Sequence, residues 1–163
     1  MINQSIWKST EPDVLRFPPP DEDLDVDVVV IGGGITGIST GYFMARAGMR
    51  VAVLEAAYVG WGTTGNSTGN LYVPIDEMYR QVSEKFDVET ARLLSESRAR
   101  GLEAIDDIIR EHGIDCDFVR TSWNLIAETT DALGDLEKER DAMKEIGIDA
   151  ELRSGSEFLP NAV

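Results

Sequence analysis

The chain has 163 residues, 42% of them apolar, and sets 30 acidic side chains against 15 basic ones for a formal net charge of -15. That length accommodates one core and the beginning of another, while the charge argues against nucleic acid or an anionic membrane as partner, because phosphates would be repelled. No apolar run approaches the roughly 18 residues needed to cross a bilayer. One cysteine, Cys116, with one histidine, His112, assembles neither a disulfide nor a usual zinc or iron–sulfur centre, so no metal site is expected.

Only four of the 15 basic residues are lysine. Such an acid-rich, lysine-poor surface suits either a protein hydrated in high salt or an ordinary acidic cytoplasmic protein. A melting temperature unmoved by added KCl would remove the first reading.

Residues 1–24, "MINQSIWKSTEPDVLRFPPPDEDL", mix charges with prolines and lack the apolar stretch and cleavage site of a secretion signal. They read as a leader, and a cytoplasmic location follows by default. Val26, Val28, Val29, Val30 and Ile31 then form a β-branched run whose continuity predicts a central strand of a parallel sheet, buried on both faces.

Directly after it comes Gly32-Gly33-Gly34-Ile35-Thr36-Gly37, which holds G-x-G-x-x-G as Gly32, Gly34 and Gly37. Gly32 permits a tight turn, Gly34 lets the backbone approach a pyrophosphate, and Gly37 allows close packing of helix on strand. The helix that follows has Ile35, Ile38, Tyr42 and Ala45 on one face and Gly48 as its C-terminal stop. Its N-terminus offers unsatisfied N–H groups and the positive end of the dipole to phosphates. "RVAVLE" is a second strand ending in Glu55, followed by Ala56. An acid at this spacing accepts hydrogen bonds from a ribose 2′-OH and disfavours NADP. The fingerprint does not by itself separate NAD from FAD, and a glycine turn that merely packs a βαβ unit is the remaining alternative.

"VGWGTTGNSTGN", residues 59–70, is rich in Gly, Thr, Ser and Asn. It brings N–H groups and hydroxyls toward a phosphate or flavin edge, or it is an ordinary flexible loop. Residues 76–86 then read as a helix, and Asp87 as the cap of a longer one ending at His112 and Gly113. On the longer helix Ala91, Leu94, Leu102, Ile105, Ile108 and Ile109 form a core stripe, and the interleaved Arg and Glu residues form a solvated face. Residues 115–129, "DCDFVRTSWNLIAET", alternate apolar with polar and predict antiparallel strands, with Cys116 a small buried hydrophobe. A last helix is capped by Thr130 and stopped by Gly147, before a short strand in "DAELRS".

"DVVVIGGGITGISTGYFMARAGMRVAVLEA" followed by "VGWGTTGNSTGNL" resembles the amino-terminal part of the D-amino-acid oxidase, or glycine/sarcosine oxidase, superfamily of FAD-dependent oxidoreductases. "SIWKSTEP", "FPPPDEDLDVDVVV" and "IDCDFVR" resemble a branch in which some members carry a carboxy-terminal Rieske domain. The resemblance implies FAD rather than NAD, and residues Thr63 to Gly69 running beside the pyrophosphate toward the flavin. It also implies non-covalent binding, since Asn66 stands where some relatives place a flavin-linking histidine.

The residues expected to contact the cofactor are Gly32, Gly33, Gly34, Ile35, Thr36 and Gly37 in the turn, Glu55 and Ala56 after the second strand, and Thr63, Thr64, Asn66 and Ser67 in the loop. No catalytic base is named by the sequence. The expected fold class is α/β, a Rossmann-like βαβ unit with helices plus the start of an antiparallel substrate-domain sheet. The expected layout is a leader over 1–24, an FAD-binding region over 25–112 and a substrate-domain segment over 113–163.

Family members run to more than twice this length, so the chain reads as an amino-terminal piece of a longer oxidase acting on an amine or amino acid, inactive alone. Its open sheet edges would pair with a second copy or a second subunit. The other reading is a non-catalytic nucleotide-binding or subunit-interaction module derived from such an oxidase.

Overall fold

Four consecutive β-branched residues, Val28–Ile31, form strand β1 of the computed structural model, which describes residues 5–10 and 16–155. Before it, among the described residues, stands one short helix, α1 (Ile6–Thr10). After it come helix α2 (Ile35–Arg46) and strand β2 (Val51–Leu54), which pairs in parallel with β1 from Val28↔Val51 to Ile31↔Leu54. Asp27 fixes this register at its start: its carboxylate accepts the Arg50 backbone N–H at 2.8 Å and meets the Arg50 guanidinium at 3.0 Å. Hydrogen bonds from the Arg50 side chain and backbone lower the Asp27 carboxyl from its ordinary value.

Helix α2 packs on the strands through glycines, Gly37 as the sequence indicates and Gly41 one turn on, and not through the apolar side chains of Ile35, Ile38 and Ala45. A Cβ on Gly41 would stand 2.9 Å from Val53 Cγ2, and one on Gly37 would stand 1.9 Å from the Gly32 carbonyl oxygen. Only a bare backbone fits at that separation. Ile35, Ile38 and Ala45 are exposed. The helix stops as the sequence indicates, with Gly48 at φ +86°.

The expectation of a strand buried on both faces is not met among the described residues. Val28 and Val30, on the helix side, are half-buried, whereas Val29 and Ile31 are 52% and 78% exposed. The reason is that, among the described residues, the sheet has two strands and one covering helix, so alternate residues of a uniformly apolar run are left uncovered.

The chain divides into two compact units, Met1–Asn70 and Leu71–Val163. The second holds α3 (Tyr79–Lys85), α4 (Val88–His112) and α5 (Thr130–Glu145) around Tyr79, Ala91, Met143 and Ile146. Asp87 caps α4 by accepting the Thr90 N–H, and Gly113 ends it in the left-handed region, both as the sequence indicates. Of the expected stripe on α4, Ala91 is fully buried and the remaining members are half-buried. Helix α3 starts at Tyr79 rather than Asp76, and α5 is capped by Thr129 rather than Thr130.

The expected antiparallel strands over 115–129 do not form among the described residues, nor does the short strand in "DAELRS". A ladder needs a partner strand, and here Val119, Trp123 and Ile126 are exposed. The segment is tied to α4 by side chains instead. Arg120 meets Asp106 at 2.7 Å through Nε and Glu103 at 2.8 Å, while Cys116, expected to be buried, is exposed. No helix among the described residues is long and apolar enough to cross a membrane. Residues 1–4 and 11–15 of the expected leader, and 156–163 at the end, lie outside the described residues.

Candidate functional site

The glycine turn is held from three sides within the first unit. The Gly32 N–H donates to the Leu54 carbonyl at 2.7 Å, continuing the β1–β2 ladder by one step. The Gly33 N–H donates to Glu55 Oε2 at 2.7 Å, and the Gly33 carbonyl accepts the Gly60 N–H at 2.9 Å. A Cβ on Gly33 would stand 2.9 Å from Glu55 Cβ, which is why the middle position of the run is also glycine.

Glu55 bridges two backbone donors, since its Oε1 accepts the Ala57 N–H at 2.9 Å. The Ala57 and Gly33 N–H groups hold its carboxyl below the ordinary value. It stays ionised at neutral pH, with lone pairs to spare for further donors.

The loop after β2 closes over the start of α2. Gly34, the N-cap residue, supplies no side chain, and Thr64 Oγ1 accepts the Ile35 N–H at 2.9 Å in its place. Thr64 opens a 3₁₀ turn, Thr64–Asn66, so its hydroxyl position is set by local backbone. The turn and the loop together enclose an open cleft of about 660 Å³. Gly32, Gly34, Ile35, Thr36 and Gly37 line one side; Glu55, Thr63, Thr64 and Ser67 line another.

Three of the residues named from the sequence stand elsewhere. Gly33 turns its N–H to Glu55, Ala56 is exposed without lining the cleft, and Asn66 faces its own loop. The Asn66 amide donates to the Gly62 carbonyl at 2.9 Å and accepts from Lys8 Nζ at 3.4 Å. Sequence reasoning did not place Thr40, Trp61 and Gly62 on the cleft, although the last two belong to the loop it singled out. It missed altogether that α1 lies against the loop, because a five-residue helix carries too little periodicity to read.

The cleft suits a bulky phosphate-containing cofactor on chemical grounds. Its turn has no side chain at Gly32 or Gly34, a helix N-terminus without a side-chain cap of its own faces it, and its acid stands at a strand end. Its remaining lining combines the hydroxyls of Thr36, Thr40, Thr63, Thr64 and Ser67 with four apolar side chains, Val30, Ile31, Ile35 and Trp61.

The family model described as FAD dependent oxidoreductase (DAO) matches residues 27–162. The chain is 34% identical over 149 residues to the putative Rieske 2Fe-2S iron-sulfur protein YhfW of Bacillus subtilis, covering 91% of this chain and 29% of that protein. It is 32% identical over 131 residues to γ-glutamylputrescine oxidoreductase of Escherichia coli (80% and 30%). Against the probable oxidoreductase OrdL of Haemophilus influenzae the identity is 33% over 137 residues (81% and 31%). The chain thus spans less than a third of the length of each of these relatives, and no solved structure matches it. The family match covers most of the chain and coincides with the strand, glycine turn, helix and acid described above: the chain belongs to the DAO family of FAD-dependent oxidoreductases.

Proposed function

We propose that the cleft between the glycine turn and residues 61–67 holds FAD non-covalently, and that the chain is the FAD-binding part of an oxidoreductase acting on the C–N bond of an amine or amino acid. The observation that carries this reading is the shared cleft, in which the turn, Glu55 and the hydroxyl-bearing loop face one space.

In this reading Glu55 accepts the hydroxyls of the adenosine ribose with the lone pairs that Gly33 and Ala57 leave over. The pyrophosphate lies against the N-terminus of α2, where the dipole favours negative charge. Gly33 and Ile35 already spend their N–H groups on Glu55 and Thr64, so Gly34 and Thr36 are the donors assigned to phosphate. Thr63 and Ser67 offer hydroxyls from the facing side, and Trp61 an apolar surface that excludes water.

When bound, FAD supplies the acceptor for a hydride equivalent leaving the carbon next to nitrogen. Asn66 supports non-covalent binding, because an amide nitrogen is not a nucleophile as an imidazole is. The amine class is supported by a relative whose name states γ-glutamylputrescine as what it acts on.

The test is a visible spectrum of the purified chain after incubation with FAD, repeated on the supernatant after acid precipitation. A flavin band that moves into the supernatant is expected. A band retained in the pellet overturns non-covalent binding, and a protein colourless throughout overturns the cleft as the FAD site of this chain.

A further inference from the structure

Helix α1 buries none of its residues, so it does not build a core. The Ser9 and Thr10 hydroxyls bond back to the preceding backbone, whereas Ser5, Trp7 and Lys8 reach one stretch about 60 residues away. The Ser5 hydroxyl donates to the Gly65 carbonyl, the Trp7 indole N–H to the Ser67 carbonyl at 2.7 Å, and the Lys8 ammonium to the Trp61 carbonyl at 2.9 Å and Asn66 Oδ1 at 3.4 Å. The same ammonium lies 4.7 Å from the centre of the Trp61 ring.

The fit is reciprocal in shape. A Cβ on Gly69 would stand 2.5 Å from the Trp7 ring, and one on Gly65 would stand 2.9 Å from Lys8 Cε as well as 2.4 Å from the Gly60 carbonyl oxygen. Two of the loop's glycines are therefore where the α1 side chains lie. A loop so rich in glycine has much backbone freedom to lose on closing around a ligand. Holding it in place beforehand removes part of that cost.

Resting on the FAD reading above, we propose that residues 5–10 are a strap that pre-orders the cofactor loop, with Trp7 and Lys8 as positioning residues. Trp7 fixes the carbonyl of Ser67, and Lys8 fixes the carbonyl of Trp61 together with the amide of Asn66. Neither side chain lines the cleft. They act through the loop that does.

The experiment compares the chain with its Lys8→Met, Lys8→Arg and Trp7→Phe variants, and with Gly34→Val, which obstructs the turn itself. FAD affinity is read by quenching of flavin fluorescence, and hydrogen exchange over 61–69 is read without FAD. Loss of a charge-assisted bond or an indole bond at a pre-ordered loop is expected to weaken FAD about tenfold in Lys8→Met and Trp7→Phe. Exchange over 61–69 should accelerate in both, the melting temperature of the FAD-free chain should not move, and Lys8→Arg should recover most of the affinity. If these variants bind FAD as the parent does while Gly34→Val does not, the strap is wrong and the cleft stands. If the parent itself does not bind FAD, the cleft reading falls and takes the strap with it.

Discussion

The Glu55 carboxylate is already bonded to the glycine turn before any ligand arrives, its Oε2 accepting the Gly33 N–H at 2.7 Å. The acid that ends β2 therefore organises the turn as well as being assigned to the ribose, and these roles predict separable effects. Glu55→Ala releases the Gly33 and Ala57 donors along with the ribose acceptor, and should weaken FAD about tenfold or more. Glu55→Gln keeps one acceptor oxygen and should fall between. The two N–H groups lower the folded carboxyl, so their stabilisation is complete above the ordinary carboxylate range and is lost only as pH falls through the lowered value. FAD affinity measured by fluorescence titration should accordingly stay flat down to about pH 5. A decline beginning near neutrality would contradict the assignment.

Close packing of α2 predicts which glycines tolerate a methyl group. Gly37→Ala drives a Cβ to within 1.9 Å of the Gly32 carbonyl oxygen, a backbone atom that cannot move aside without undoing the turn. The cost should be at least about 3 kcal/mol. Gly48→Ala meets nothing within 4 Å and carries only the strain of φ +86°, about 1 to 2 kcal/mol. Urea unfolding of the two variants should separate them in that order; equal midpoints would mean that the turn is looser than this geometry.

The parts of this structure legible in the sequence are those written in local chemistry. Asp87 and Gly113 bound α4 because a carboxylate caps its own helix and glycine takes the left-handed region at its end. The glycine turn, α2 and the Glu55 strand end follow from spacing in the same way. What was not legible depends on partners distant in sequence. The alternation over 115–129 is a strand pattern without a partner strand among the described residues, and ion pairs from Arg120 to α4 hold the segment in another form. The apolar run of β1 is compatible with burial on both faces but does not supply the second cover. The contact of Trp7 with Ser67 joins two stretches 60 residues apart, and nothing in either announces the other.

Helix α3 is capped from a distance. Its N-cap residue, Met78, has φ 61° and offers no side-chain cap, and the buried Glu139 of α5 accepts the Tyr79 and Arg80 N–H groups at 2.7 and 3.0 Å instead. Glu139→Ala leaves both donors unsatisfied beside the fully buried Tyr79 and should cost about 2 to 4 kcal/mol. Glu139→Gln keeps the shape and one acceptor and should cost less. Chemical denaturation followed by far-ultraviolet circular dichroism tests the order. If Glu139→Ala unfolds at the parent's midpoint, the carboxylate does not carry the cap.

Asp106 predicts the acid behaviour of the segment after α4. Its buried carboxylate accepts Arg110 Nε at 2.8 Å and Arg120 Nε at 2.7 Å, and these hydrogen bonds, Arg110 first, lower its carboxyl to about 2. A lowered folded value stabilises fully above the unfolded value near 4 and is lost as pH falls through about 2. The tie from Arg120 to α4 should therefore hold at pH 4 and release toward pH 2. Pepsin, active across that window, should begin to cleave within residues 114–129 as the pH is lowered. Asp106→Asn removes the charge that both guanidinium groups share, and should make the same segment protease-sensitive even at neutral pH, read with thermolysin. Asp107→Asn alters only an exposed neighbour 3.5 Å from Arg110 and should behave as the parent does. Equal cleavage of the Asp106→Asn chain and the parent at neutral pH would show that Glu103, 2.8 Å from Arg120 on the same helix, holds the segment without Asp106.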